Sequence, residues 1–442
     1  MTSEPVSEHL APGDLNIADR EAMAEFGIPP DRYFAVLRRT SPVHWNPPPP
    51  LPDTGQVFVT KGFWILSKYA DVDMASKDWA RFSAWEGGVL WLDPENVDFT
   101  SVENLRAGLM GMDPPDHTMF RRLLQPGFTP RRVAELEPAM RVQAQRIVTD
   151  LARRGSAEFV FDAAAQLPMF LLCELMGIPE KDRPQYVEQA VDAAKLDDPD
   201  VDQRSVNTAL FRYCRDLVAR KRERPDDTMI SKYANGTIDG RRLTDMEIAE
   251  FFVTLSIAGH ETARNTTAHF VRLMGEHPDQ KHVLLEDLDA RLPNAIEEVL
   301  RFSPPVMHFR RTATTQIELR GNVIAKGDKV LLSYVSANRD DEVFEDGDRF
   351  DILRANASAH LAFGAGPHYC LGAALARMQL RCILGEVYRV LPELEVSDAP
   401  TWMRSVWLNG LSAMPVRTGA GSAPVRVGAG RPASDAATAV DR

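Results

Sequence analysis

The sequence predicts a mainly α protein with small β-sheets, and three features carry that expectation. Residues from about Pro130 to Arg301 follow a helical period almost throughout. Short apolar runs bounded by glycine turns, the mark of strands, occur before and after that region. Within it, one helical stretch is long enough to cross the centre of the molecule.

The elements follow in order. Residues 1–14 are polar and read as a disordered N-terminus. Pro47 to Pro50 reads as an extended, polyproline-like surface connector. Val57-Phe58-Val59 and Phe63-Trp64-Ile65-Leu66 flank Thr60-Lys61-Gly62, which suits a hairpin with glycine at the turn. Asn235-Gly236 and Asp239-Gly240 mark a short excursion inside the helical region. Thr244 and Glu247 then form a capping box, each side chain satisfying an orphan backbone donor of the other residue. The helical pattern after them runs to Gly275 and is ended by Pro278, about 30 residues or roughly 45 Å. Its middle, Phe251 to Ala258, is almost wholly apolar. Late strands are expected at Ile317-Glu318-Leu319, before the turn at Gly321-Asn322, and from Lys329 to Tyr334. The expected division is a disordered 1–14, a single domain over 15–416, and a disordered tail over 417–442.

Hydrophobic residues make up 44% of the 442-residue chain and charged residues 26%, a globular composition. The formal charge of −12 argues against nucleic acid as a partner. The N-terminus has no apolar export core, and no apolar run reaches about 18 residues. A cytoplasmic protein without a membrane anchor is expected. Four cysteines, Cys173, Cys214, Cys370 and Cys382, are too scattered for a disulfide framework. Taken singly, each is most simply a small buried apolar side chain.

Cys370 sits in a different setting. The segment Phe363-Gly364-Ala365-Gly366-Pro367-His368-Tyr369-Cys370-Leu371-Gly372 holds three glycines and a proline within ten residues, a tight loop rather than a strand. An amphipathic helix follows, with Leu375, Met378 and Cys382 on one face. A cysteine at a helix N-terminus is stabilised as a thiolate, and a thiolate can bind haem iron. Gly366 and Gly372 would let backbone approach the sulfur and the macrocycle closely.

This loop resembles the cysteine-ligand loop of cytochromes P-450: Phe, two residues, Gly, three residues, Cys, one residue, Gly. Phe363, Gly366, Cys370 and Gly372 fill every fixed place. The resemblance extends over roughly residues 15 to 416. It implies the P-450 fold, a helix-rich prism around a buried haem b, with Cys370 as the iron ligand. Glu298 and Arg301 match the family's Glu-x-x-Arg pair, one helical turn apart and able to form a charge-assisted pair. The family's second arginine falls on Arg349. Haem propionates imply cations, and the matching positions are His117, Arg121, Arg311 and His368.

Ala258-Gly259-His260-Glu261-Thr262 resembles the family's oxygen-binding groove. Glycine inside a helix costs about 1 kcal/mol relative to alanine, so Gly259 suggests a steric purpose, room for dioxygen. The resemblance implies that the Thr262 hydroxyl helps protonate the activated oxygen and that Glu261 supports proton delivery. His260-Glu261 also begins a His-Glu-x-x-His zinc motif, but Arg264 stands where the second histidine is needed.

Within the family, motifs such as Thr262-Ala263-Arg264-Asn265 and Trp407-Leu408-Asn409-Gly410-Leu411 look like those of actinobacterial sterol and methyl-branched-lipid hydroxylases. Similarity to terpene-oxidising members is weaker. Val253, Ile257, Ala258, Val306, Met307 and Leu408 are the candidate substrate contacts, and residues 84–110 and about 185–225 match the family's variable lid segments. No reductase domain is fused, so electrons from NAD(P)H are expected through a separate ferredoxin and its reductase. Arg121, Arg122, Arg377 and Arg381 are candidate docking cations. Two other readings remain: a haem-thiolate oxidase of a secondary-metabolite pathway, and a non-catalytic haem-thiolate sensor.

Overall fold

The computed structural model describes residues 10–48, 61–89, 108–195, 201–238 and 240–419. Near the N-terminus, α1 (Arg20–Phe26), α2 (Asp31–Thr40) and α3 (Tyr69–Lys77) surround strands β1 (Val43–Asn46) and β2 (Phe63–Leu66). Residues 10–14 form a turn held by the Tyr33 hydroxyl, which donates to the Pro12 carbonyl at 2.6 Å. The expected partner strand at Val57–Val59 and the end of the proline run lie outside the described residues. The described partners of β2 are instead β1, antiparallel, and β10 (Lys329–Ser333), parallel. With β7 (His308–Ala313) and β3 (Phe82–Ser83) they make one five-stranded sheet in the order β1-β2-β10-β7-β3. That sheet sets Arg310 and Arg311 opposite Leu331 and Val330.

The helical mass begins with α4 (Asp116–Leu124) and α5 (Pro130–Arg154), then α6 (Gln166–Met176), α7 (Arg183–Ala193), α8 (Gln203–Glu223) and α9 (Met229–Asn235). The expected excursion is a two-stranded hairpin, Thr237–Ile238 against Arg241–Arg242. The Thr244–Glu247 capping box is present and opens α10 (Asp245–Ala258). The long central helix is not continuous, however. It is interrupted at Gly259-His260 and resumes as α11 (Glu261–Glu276). Next come α12 (Pro278–Glu286), α13 (Leu288–Phe302) and α14 (Tyr334–Ala337), followed by α15 (Ala373–Val390), which lies along α5 and α13. Leu375, Met378 and Cys382 of α15 are buried in the main apolar cluster, as their spacing requires. The predicted late strands form, Ile317–Leu319 pairing with Asn322–Ile324 across the glycine turn. Strand Pro415–Arg417 pairs with Ser156–Glu158, and Thr418 is buried behind it. Among the described residues no helix is long and apolar enough to cross a membrane.

Candidate active site

Cys370 lies in a loop closed on itself, its amide donating to the Phe363 carbonyl at 2.8 Å. Helix α15 is capped by Gly372, so Cys370 stands just ahead of it. The expected thiolate stabilisation is outweighed in this setting. Burial pushes the Cys370 thiol above its ordinary pKa, opposed by the Gly372 amide and by Arg121 and Arg377. A thiol in that state would release its proton to solvent on binding a metal ion. Gly372 does stand beside the sulfur, a Cβ there falling 4.0 Å from Sγ. Gly366 has another purpose than the one expected. Its φ is +66°, and a Cβ would collide with the Ser76 carbonyl and reach 2.9 Å from the Lys77 Cα. It lets the loop seat against the end of α3. Phe363 is half-buried, with the Arg377 guanidinium 4.4 Å over its ring.

Four nitrogen-bearing side chains converge near this loop. His117 on α4 is buried with neither ring nitrogen partnered, and the Nε2 of His368 is also unpartnered. Their rings stand 4.4 Å apart. Arg311 on β7 is buried, and Arg121 on α4 is half-buried and donates to the Pro367 carbonyl at 3.3 Å. Neither arginine forms an ion pair with a described residue. Burial, then Arg121 and Arg311, hold the His117 pKa down to about 4; burial also pushes His368 well below its ordinary value. Such a cluster of buried donors and uncompensated positive charge calls for an anion. A haem with two propionates fits that requirement.

Behind the loop, Arg301 and Glu298 are both fully buried. Arg301 donates Nε to Glu298 Oε2 at 2.7 Å and Nη2 to Oε1 at 2.8 Å. Its remaining donors reach the carbonyls of Asn338, Gly347 and Arg349. The expectation for Arg349 is corrected here. Its side chain is 64% exposed and pairs with Asp351. The second arginine on Glu298 is Arg354, whose Nε donates to Oε1 at 3.3 Å. Arg354 also ties the carbonyls of Glu345, Asp346 and Arg349, so its guanidinium is drawn inward while Arg349 points to solvent.

At the interruption between α10 and α11, Ala258 is exposed and Thr262 half-buried, although most of their neighbours are buried. The two therefore stand against open space at the interruption. The Thr262 hydroxyl donates to the Ala258 carbonyl at 2.9 Å across the interruption. Gly259 does not face that space: a Cβ there would lie 2.6 Å from Leu172 Cδ2 and 2.8 Å from the Leu255 carbonyl. Its bareness lets α10 pack against α6. Glu261 is buried and bound by Arg264, with Asn265 donating at 3.3 Å and the His260 Nε2 3.4 Å away. Burial raises the Glu261 pKa, but Arg264 outweighs it and holds the group below the usual carboxylate value.

The candidate substrate contacts fall into two apolar clusters. Val253 and Ile257 belong to the helical one, and Val306, Met307 and Leu408 to the one beside the sheet. Val306 and Leu408 are β-bridged to each other, which the sequence does not show. Of the candidate docking cations, Arg377 is committed to Glu297, with both contacts at 2.7 Å. Three residues in these networks escaped sequence reasoning: Arg354, Arg264 as the partner of Glu261, and Glu250. The last had a signal, an acid flanking the apolar Phe251–Ala258 stretch. Parts of the lid segments, 90–107 and 196–200, lie outside the described residues.

A helix-rich fold with a cysteine loop, a buried cationic cluster and an interrupted central helix defines a haem-thiolate protein. The chain belongs to the cytochrome P-450 family and is a monooxygenase with a haem-thiolate cofactor. The family profile matches residues 202–401. A steroid C26-monooxygenase of Mycolicibacterium smegmatis is 36% identical, covering 89% of this chain and 92% of that protein. A methyl-branched lipid omega-hydroxylase of Mycobacterium bovis is 35% identical, covering 87% of this chain and 90% of that protein. Among solved structures, a Mycobacterium marinum cytochrome P-450 in complex with pseudoionone is 34% identical with a TM-score of 0.82. The match spans 94% of this chain and all of that one, 100%.

Proposed function

We propose that this enzyme hydroxylates an apolar C–H bond of a sterol or methyl-branched lipid, with Cys370 as the residue that would ligate the haem iron. The observation that carries the reading is the coincidence of the Cys370 loop with the anion-seeking cluster His117, Arg121, Arg311 and His368. The substrate class is supported by the likeness to the steroid and branched-lipid oxygenases. Bound there, a haem would supply the chemistry of dioxygen activation and oxygen insertion, and a cysteine thiolate would favour O–O cleavage.

The chain's residues have distinct parts in this scheme. Arg121 and Arg311, with His117 and His368, would hold the propionates of the haem. Phe363, Gly366 and Gly372 shape the loop that presents Sγ. Glu298, Arg301 and Arg354 lock the scaffold behind it. Thr262 keeps a hydroxyl beside the open space at the interruption, oriented by the Ala258 carbonyl, where it passes a proton. Glu261, kept ionised by Arg264, is the proton acceptor that resupplies it. Val253, Ile257, Val306, Met307 and Leu408 supply apolar walls. Electrons come from NAD(P)H through a ferredoxin, docking with the exposed Arg122 and neighbouring cations.

The test is a spectral titration of the haem-loaded protein with sterols and branched fatty acids. A type I shift, followed by hydroxylated product with a ferredoxin system, is the expected result. Cys370→Ser should abolish the red-shifted Soret band of the reduced carbon-monoxide complex. A wild-type enzyme that binds these lipids but never turns them over would favour the sensor reading instead.

A further inference from the structure

Glu250 lies on α10 and is 6% exposed, yet neither carboxylate oxygen makes a hydrogen bond or ion pair with a described residue. A buried acid without a partner destabilises the fold unless something else compensates it. The polar groups beside it show the contrast. Ser256, on another face of the same helix, and Tyr186 of α7 bond to each other at 2.9 Å.

The helical spacing shows where Glu250 stands. Positions four, seven and eight residues on are Thr254, Ile257 and Ala258, on the same stripe of the helix. Thr254 and Ile257 are half-buried and Ala258 is exposed; of the residues between, Phe251, Phe252, Val253 and Ser256 are buried and Leu255 is half-buried. This stripe leads to the open space beside Ala258, the most exposed residue of the helix's C-terminal half, and Glu250 stands at its far end. Burial pushes its carboxyl up to about 8, with no neighbouring charge contributing. At neutral pH the group is an uncharged acid with an O–H to donate.

We propose that Glu250 is a specificity-determining residue that donates a hydrogen bond to a hydroxyl or ketone oxygen of an otherwise apolar substrate. From Glu250 to Ala258 the helix rises roughly 12 Å, which places that oxygen far from the carbon oxidised beside Ala258 and Thr262. The preferred substrate is then long and rigid or extended, with a single neutral oxygen function at the end opposite the oxidised carbon. This inference rests on the reading of Ala258 and Thr262 as the oxidising end of the site.

The test compares two probes in the haem-loaded full chain: a sterol with a 3-hydroxyl and the same skeleton without it. Wild type should favour the hydroxylated sterol by about 5- to 10-fold in the type I titration, the usual worth of one hydrogen bond. Glu250→Leu should erase that preference, leave affinity for the deoxy sterol intact, and raise the melting temperature of the ligand-free protein. Glu250→Met keeps a side chain of similar length with no O–H or N–H to donate and should likewise erase the preference, deciding the matter if the leucine variant fails to take up haem. No preference in wild type, or an unchanged preference in the variants, overturns the proposal. The carbon-monoxide Soret band separates the two readings. If it is not red-shifted even in wild type, the haem-thiolate site is misassigned; if it is, only the role of Glu250 is at stake.

Discussion

Glu298 is a buried carboxylate surrounded by donors: Arg301, Arg354 and the Asp351 amide all bond to it. Such a group is stable only while its donors remain, since losing one leaves buried charge uncompensated. Arg354→Gln should therefore cost about 2–3 kcal/mol in denaturant unfolding of the haem-loaded protein, and haem content should fall. Arg349→Gln removes only an exposed ion pair and should stay within about 0.5 kcal/mol of wild type. The reverse ranking would restore Arg349 as the network's arginine. The two arginines lie in one short segment, and spacing alone does not tell which of them turns inward. That choice is made by the carbonyls of Glu345 and Asp346, which Arg354 collects. Cys370 was legible for the opposite reason, because glycines and a proline fix the loop around it locally.

The central helix carries the next prediction. Its length was readable from periodicity, and its start from the Thr244–Glu247 cap. The interruption was not, because Gly259 (φ −83°, ψ −19°) and His260 (φ −111°, ψ −45°) keep near-helical dihedrals. Neither the period nor local propensity registers so small a departure. A methyl at position 259 would press on Leu172 and on the Leu255 carbonyl, so Gly259→Ala should destabilise by about 1–3 kcal/mol. In a Leu172→Ala background the same substitution should cost less, a coupling that a double-mutant cycle of thermal unfolding measures. Equal costs in both backgrounds would mean that Leu172 is not what Gly259 accommodates. Thr262→Val keeps the shape but removes the hydroxyl that spans the interruption. Lipid affinity should hold within about twofold, since only a hydroxyl beside an apolar ligand is lost. Product formed per NAD(P)H consumed should fall, with more reducing equivalents lost to peroxide. Unchanged coupling would remove Thr262 from the proton path.

Helices, sheet and loop are all needed to bring together His117, Arg121, Arg311 and His368, which come from α4, β7 and the cysteine loop. No local pattern in the sequence foretells their convergence; only the resemblance to a family singled them out. Their proximity makes acid tolerance a property of the whole protein. Without an anion, His117 is held down to about 4 by burial and by Arg121 and Arg311, with Asp113 opposing weakly. The unfolded chain, where histidine has its ordinary value near 6.5, then binds the proton first as pH falls. Folded-state stability is fully present above about pH 6.5 and declines as pH drops from there towards 4, by up to roughly 3 kcal/mol from this residue. Haem propionates beside the imidazole would let it charge in the folded state and so remove the loss. The expected result is a steep decline in the urea midpoint of the haem-free protein across that window and a shallower one once haem is bound. His117→Phe should flatten the haem-free curve without altering its shape above pH 7. Below that window both forms should weaken together, because Glu297 has its pKa lowered to about 2; burial raises it, but Arg377 and His360 outweigh that effect. Its stabilising charge is present above the ordinary carboxylate range and is lost as pH approaches 2. Parallel curves for the haem-free and haem-loaded proteins between pH 6.5 and 4 would place the propionates away from His117.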